Sequence, residues 1–418
     1  MPATGTASLR SRWTSFPPES ASAEDRDLAP RRRSAGGFEA AEFELRLTRA
    51  QAVMRRHNCD ALLCTTPANI RYFTGFDTQF WESPTRPWFV IVPLAGDPIA
   101  VIPEVGAPVM AATWVTDIRT WPAPCPEDDG TTLLAAALAG LPLRFGRVGA
   151  ELGREMALRM PVTQFLELRT RVPAELADGS SCLWEIRMVK TGAEIERIRR
   201  ICRIAGSAYE ALPRRVEIGD TEREACRRLR ADLIERGADA VPFVAAASGP
   251  GGVSQIIGAP GDRRLEDGDL LFVDTGATCD GYFCDFDRNY AVGDLRSSAA
   301  KRAHEAMWDA TEAGIKAARP GATAEDVWRS MAAVVSAAGS IGNNVGRLGH
   351  GLGLQLTEPP SNMRGDGTVL RPGMVLTIEP GMEYAPGKMI VHEENVAITA
   401  DGCDLLTPRA PRELWTIR

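Results

Sequence analysis

The sequence predicts an α+β protein, with an α/β domain placed ahead of a larger domain of long helices and acidic strand pairs. Three features predict it. A helix-period stretch feeds a short apolar run near residue 61, amphipathic helices recur beyond residue 190, and two hairpin patterns carry matched acids in the second half.

At roughly 150 residues per domain, 418 residues suit two large domains or three ordinary ones. Hydrophobic residues at 44% and charged residues at 25% match soluble globular chains, so material for a core is ample. A net charge of -7 argues against a surface that gathers phosphate backbones, and nucleic acid is not an expected partner. No run approaches the roughly 20 apolar residues of a bilayer span, so no membrane association is expected. Nine cysteines without a C-x-x-C pair suggest neither a disulfide framework nor a thiolate zinc site, and they point to buried thiols and a cytoplasmic location.

Residues 1–37 hold Ser, Pro, Ala, a triple Arg at Arg31 to Arg33, and Gly36 with Gly37; they read as a disordered tail. Its acids Glu19, Glu24, Asp25 and Asp27 speak against an organelle transit peptide. A helix over 43–57, a strand over 61–64 and strand-like runs at 88–93 and 99–102 outline an α/β domain spanning 38–186. Charged helices over 191–212 and 221–236 open the second domain, 187–418, with Asp220 or Thr221 capping the latter helix. Two more helices are expected over 298–318 and 324–338, set among short strands with Gly and Pro turns.

The chemistry concentrates in that second domain. Phe272-Val273-Asp274-Thr275-Gly276, an Asp280-Gly281 turn and Asp285-Phe286-Asp287-Arg288 make a hairpin. Asp274 and Asp285 are symmetric about the Cys279 and Asp280 junction, so an unbulged ladder sets them face to face. Around the turn at Pro386-Gly387, Glu379 and Glu393 are likewise equidistant. Between the hairpins, Gly349-His350-Gly351 leaves one imidazole reachable. Four carboxylates converging on one imidazole cannot all stay ionised unless cations neutralise them, and a pair of divalent metals does so. Oxygen-rich ligation with a single nitrogen suits Mn(II) or Fe(II), with Zn(II) and Co(II) also compatible.

These residues resemble the pita-bread metalloenzymes of peptidase family M24, which include methionine aminopeptidase, aminopeptidase P and prolidase, with creatinase as a metal-free relative. Asn69-Ile70-Arg71-Tyr72-Phe73-Thr74-Gly75-Phe76 looks like the signature of the creatinase-type N-terminal domain. The resemblance implies a C-terminal pita-bread fold and two divalent ions held by Asp274, Asp285, His350, Glu379 and Glu393, with Glu394 as a competing register for the last ligand. It also implies a homodimer in which the N-terminal domain closes over the partner's active site. Trp81, Trp88, Arg71 and Tyr72 are the candidate substrate contacts from that domain.

Departures accompany the match. Where the family's peptidases carry a His before Gly-x-Pro, Ile257 stands; where a His precedes the Glu of the following segment, Thr357 precedes Glu358; and Val391 replaces an Arg. Thr357 and Ile257 therefore become candidate substrate contacts, while Glu379, Asp287 and Glu358 are candidate catalytic residues. Asp287 stands where the family usually has Thr, and an ion pair with Arg288 is its blander reading. His392 is expected to face away from Glu393, and His57 and His304 to lie at the surface. Losing one electrostatic donor commonly costs about 100 to 1000-fold in rate. The expected activity is thus a metal-dependent hydrolase of the Xaa-Pro dipeptidase or aminopeptidase P type, acting on a small dipeptide-like or amide substrate. Paired ions would activate water and polarise the carbonyl, with Glu379 taking or relaying the proton. One alternative is elimination, as in dimethylsulfoniopropionate lyases, although those carry an Asp where this chain has Gly276. A non-catalytic binding protein is the other.

Overall fold

The computed structural model describes residues 37–83, 86–342 and 346–418. The tail expected over 1–37 falls outside them, apart from Gly37. The first half of the chain runs α1 (Ala40–Arg56), β1 (Ala61–Cys64), α2 (Pro67–Thr74), β2 (Phe89–Pro93), β3 (Ile99–Pro103), α3 (Ala107–Ala111), β4 (Asp117–Trp121), α4 (Thr131–Ala139), β5 (Arg147–Ala150), α5 (Val162–Arg171), β6 (Glu175–Asp178) and α6 (Ser180–Met188). Its six strands form one mixed sheet in the order β4-β3-β2-β1-β5-β6. Every residue of β1, β2 and β3 is buried, because helices cover both faces. Leu62 and Cys64 pack with Phe43 and Leu183 on one side, and Ala61 and Leu63 with Leu134 and Leu168 on the other.

The motif at 69–76 is built as a helix and its stop. Thr66 caps α2 by accepting from the Asn69 N–H, Pro67 sits in the first turn, and Gly75 at φ 72° ends the helix on the Arg71 carbonyl.

The second half continues with α7 (Gly192–Ala211), α8 (Glu222–Glu235), β7 (Ala240–Pro250), β8 (Asp269–Cys279), β9 (Tyr282–Phe283), β10 (Phe286–Val292), α9 (Ser298–Ala317) and α10 (Ala324–Ala337). Then come β11 (His350–Gly351), β12 (Glu358–Ser361), β13 (Val375–Ile378), β14 (Gly381–Ala385), β15 (Lys388–Val391), β16 (Glu394–Ile398), β17 (Cys403–Leu405) and β18 (Trp415–Ile417). Thr191, Thr221 and Thr323 each close a capping box with an acid three residues on, which makes Thr221, not Asp220, the cap of α8. The main sheets run β18-β10-β8-β7 and β12-β11-β13-β16-β17, with β14 and β15 as a separate ribbon. Among the described residues no helix is long and apolar enough to cross a membrane, and all nine cysteines are free.

A buried polar chain ties the first sheet to the second half. Glu151 accepts from the backbone of Thr65 and Thr66 and from Asn69 Nδ2. Asn69 Oδ1 accepts from Arg187 Nη1 at 2.8 Å, and Arg187 pairs with Glu358, whose other oxygen takes Lys190 Nζ at 2.9 Å. Burial would raise the Glu358 carboxyl, but Arg187 and Lys190 outweigh it and hold it at about 2. A depressed acid adds stability that is complete above its ordinary 4.5 and is lost as pH falls through about 2. Arg187→Ala removes the donor to Asn69 Oδ1 and Gln355 Oε1 and one of the two cations paired with Glu358, so we expect a loss of about 3 kcal/mol, read as a lower urea midpoint at neutral pH. An unchanged midpoint would show that the network is dispensable.

Candidate metal centre

The first acidic hairpin turns on Asp280 and Gly281, both at positive φ (50° and 80°), as a two-residue turn of this hand requires. Cys279 therefore pairs with Tyr282, and the ladder sets Asp274 opposite Asp287. The expected pairing of Asp274 with Asp285 is corrected: the turn centres between residues 280 and 281, one position later than the symmetry suggested. Asp285 sits in the gap between β9 and β10, where Asn395 of β16 replaces β8 as its backbone partner. Asn395 Oδ1 accepts from the Asp285 N–H at 3.1 Å and its amide donates to the Asp285 carbonyl. That clamp draws Asp285 toward the second hairpin.

In the second hairpin, Ile378 pairs with Glu394 and Gly381 with Val391, so Glu379 and Glu393 meet at the junction between the two ladders. The side chains of the Glu393-Glu394 doublet then part. Glu393 faces the cavity, whereas Glu394 is fully buried on the other side against Arg288 at 3.0 Å, Arg409 at 3.1 Å and Thr407. His392 also turns away, with Nδ1 3.1 Å from the Thr311 hydroxyl. His304, expected at the surface, is buried with its ring 6.0 Å from that of His392, because α9 turns this face inward; burial pushes it down to about 4. His57 is half-buried and 2.8 Å from Glu185.

His350 is delivered by backbone that only glycine allows. At Gly349, φ is +116°, and a Cβ there would lie 2.3 Å from the Thr377 carbonyl. Nδ1 of His350 lies 2.8 Å from the Gly351 carbonyl, leaving Nε2 facing Asp285 Oδ2 at 3.4 Å. Ligand-type atoms of Asp285, His350 and Glu393 all lie within 4.8 Å of one another.

The electrostatics of this cluster are those of acids crowded in low dielectric. Burial, then Asp285 and Glu379, raise Asp274 well above the carboxylate range; burial, then Glu379, Asp285 and Asp274, do the same to Glu393. Burial lifts Asp285 to about 8 against a lowering pull from Arg347. Glu379 reaches about 7 through burial, with His350 lowering it and Asp285 raising it. Burial lowers His350, keeping the neutral imidazole that a metal requires. Asp274 Oδ1, Asp287 Oδ1 and Glu393 Oε1 are buried without a hydrogen-bond partner. Unpartnered carboxylate oxygens around a neutral imidazole fit divalent cations.

The cavity they line measures about 690 Å³. Asp274, Asp285, Asp287, His350, Glu379 and Glu393 form its acidic wall, and Ile257 and Thr357 lie on it as well. Five other expected site residues are elsewhere. Glu358 is spent on Arg187 and Lys190. Trp81 and Trp88 pack on Phe76, with centroids 5.6 and 5.0 Å away. Tyr72 is buried beneath Arg46, and Arg71 pairs with Asp77 beside Gly281. None of these four lies on this chain's cavity, because Tyr72, Trp81 and Trp88 pack into the core of their own half and Arg71 is held by Asp77. The cavity instead uses residues the sequence reading did not single out: Arg154, Arg347, Phe243 and Phe272. Only Arg347 had a usable signal, three residues before His350.

A family model described as metallopeptidase family M24 matches residues 196–400, and one for the creatinase/prolidase N-terminal domain matches 46–189. An Xaa-Pro dipeptidase of Pyrococcus horikoshii is 32% identical over 270 residues, covering 63% of this chain and 74% of that protein. This chain belongs to metallopeptidase family M24. It is a metal-dependent hydrolase with a creatinase-type N-terminal domain. A probable dipeptidase PepE of Mycobacterium tuberculosis is 29% identical over 385 residues, 91% of this chain and 98% of its own. The crystal structure of dipeptidase PepE from Mycobacterium ulcerans superposes with a TM-score of 0.78 at 29% identity, covering 91% of this chain and 99% of that one. Recombinant prolidase from Thermococcus sibiricus gives 0.78 at 26% identity, over 90% and 99% of the two chains. Metallopeptidases of family M24 use divalent metals, generally two.

The raised acids set a pH dependence whose sign is opposite to that of Glu358. Folding favours their protonated forms, so metal-free protein keeps this contribution below the ordinary carboxylate range and loses it as pH climbs through about 7 for Glu379 and about 8 for Asp285. Thermal unfolding of chelated protein should show a midpoint that falls from about pH 5 to about pH 8.5. Mn(II) at about 100 times its dissociation constant should restore about 2.7 kcal/mol at the upper end. A midpoint indifferent to both pH and metal would contradict the crowding of these acids.

Proposed function

We propose that the protein is a dinuclear metal-dependent hydrolase acting on a small dipeptide-like or other amide substrate, and that it is not a general peptidase. The observation that carries the reading is the composition of one cavity. Its acidic wall is complete, while the positions where the family's peptidases present two imidazoles and an Arg hold Ile257, Thr357 and Val391. The similar proteins named dipeptidase and Xaa-Pro dipeptidase support a small substrate with a C–N bond to cleave.

In this reading Asp274, Asp285, His350, Glu379 and Glu393 hold the ions. Divalent ions bound there supply Lewis-acid polarisation and activate water. Glu379, on the same cavity wall, takes or relays the proton. Phe243, Ile256, Ile257 and Phe272 make an apolar wall that excludes water from the substrate's side chain. Arg347 lies on the same cavity and donates only to the hydroxyls of Ser361 and Thr357, each at 3.3 Å; among the described residues no carboxylate pairs with it. It is therefore available for a carboxylate on the substrate. Elimination finds no comparable support: a side chain at Gly276, where the lyases carry their extra Asp, would meet Phe243 at 2.5 Å and Leu356 at 2.7 Å.

Hydrolysis of dipeptide and N-acyl amino acid libraries by Mn-, Fe-, Zn- and Co-loaded protein tests the reading. We expect at least one amide to be cleaved and Asp285→Ala to abolish the reaction. Fully loaded protein that cleaves none would refute it. Arg347→Met should raise KM about 10 to 100-fold for a substrate with a free carboxylate, in line with a charge-assisted bond of about 1.5–3 kcal/mol, and leave KM for its amidated analogue unchanged. Equal effects on both would deny Arg347 that contact.

A further inference from the structure

Asp287 has no role in the five-ligand set, yet its carboxylate is buried with Oδ1 lacking any hydrogen-bond partner. It lies directly opposite Asp274 across β8 and β10, on the same face of the sheet and on the wall of the same cavity. Like charges directly opposite one another in a ladder destabilise it, so the pair either holds a proton or takes a counter-charge. The neighbouring cation does not supply one. Arg288 sends its guanidinium to the Asp287 and Glu393 carbonyls and to the Glu394 carboxylate, leaving the Asp287 carboxylate alone. Asn289 offers Asp287 Oδ2 only a 3.3 Å contact while donating to the Val391 carbonyl at 2.6 Å.

Asp287 Oδ1, Asp274 Oδ1 and Glu393 Oε1 are thus three buried carboxylate oxygens without partners, in residues that all line one cavity. Glu393 is also a member of the cluster of Asp285, His350 and Glu393, which has its own nitrogen donor, whereas Asp274 and Asp287 lie outside that cluster. We propose that Asp287 is a metal-binding residue, forming with Asp274 and Glu393 an all-oxygen cation subsite beside the one that contains His350. The proposal rests on the dinuclear reading above. An additional carboxylate in place of a hydroxyl adds one negative charge to this subsite, which favours hard ions such as Mn(II) over Zn(II) there.

Calorimetric titration of chelated protein with Mn(II), with free ion followed by electron paramagnetic resonance, tests it without using activity. Wild type should take up two ions; Asp287→Asn and Asp287→Thr should weaken one of them at least tenfold and leave the other within about twofold. The chelated variants should also unfold at a higher temperature than chelated wild type, because a buried carboxyl crowded against Asp274 is gone. A structural carboxylate would give the reverse: unchanged Mn(II) binding with a lower unfolding temperature, or variants without native circular dichroism, and either result overturns the proposal. Two unaltered sites in both variants refute the role of Asp287 while keeping the dinuclear reading. Wild-type protein that binds no Mn(II) refutes both.

Discussion

The structure turns on one electrostatic constraint, which is that five carboxylates share a buried cavity with a single neutral imidazole. Protein groups neutralise none of them directly. Elsewhere in the same molecule buried acids are answered in full: Glu358 by Arg187 and Lys190, and Glu394 by Arg288 and Arg409. The contrast separates acids that hold the fold together from acids that wait for a ligand. Among the former, Glu358 is held at about 2, and the latter rise toward neutrality or beyond. Cations resolve the conflict in a way that side chains here do not.

Backbone geometry enforces that crowding. The Asp280-Gly281 turn fixes the first ladder, Asn395 grips the backbone of Asp285 from the neighbouring sheet, and Gly349 admits His350 at a distance no other residue permits. The second hairpin breaks into two ladders at the positions of Glu379 and Glu393, which frees both side chains from ordinary cross-strand packing. Each device spends local regularity on the site, which is where departures from regular structure are expected to gather.

Around this acidic wall the cavity has an unusual lining. Ile257 is 90% exposed at its mouth, Thr357 replaces an imidazole, and Arg347 and Arg154 bring positive charge from opposite halves of the chain. The acidic wall is complete, while Ile257, Thr357 and Val391 stand at the three positions where polar groups were expected.

Sequence alone determined the five long helices α1, α7, α8, α9 and α10, the capping boxes at Thr191, Thr221 and Thr323, the strand at 61–64 and the meeting of Glu379 with Glu393, because local spacing and period encode them. It also marked the acids and the histidine by their symmetric placement. Tertiary structure decided everything that depends on partners distant in the chain. Asp274 faces Asp287 because a turn type shifts a register by one; Glu358 is removed from the site by Arg187, 171 residues away; and Trp81 and Trp88 pack on their own domain. Arg154 reaches the cavity only because two domains dock, a long-range event that leaves no trace in the periodicity of either.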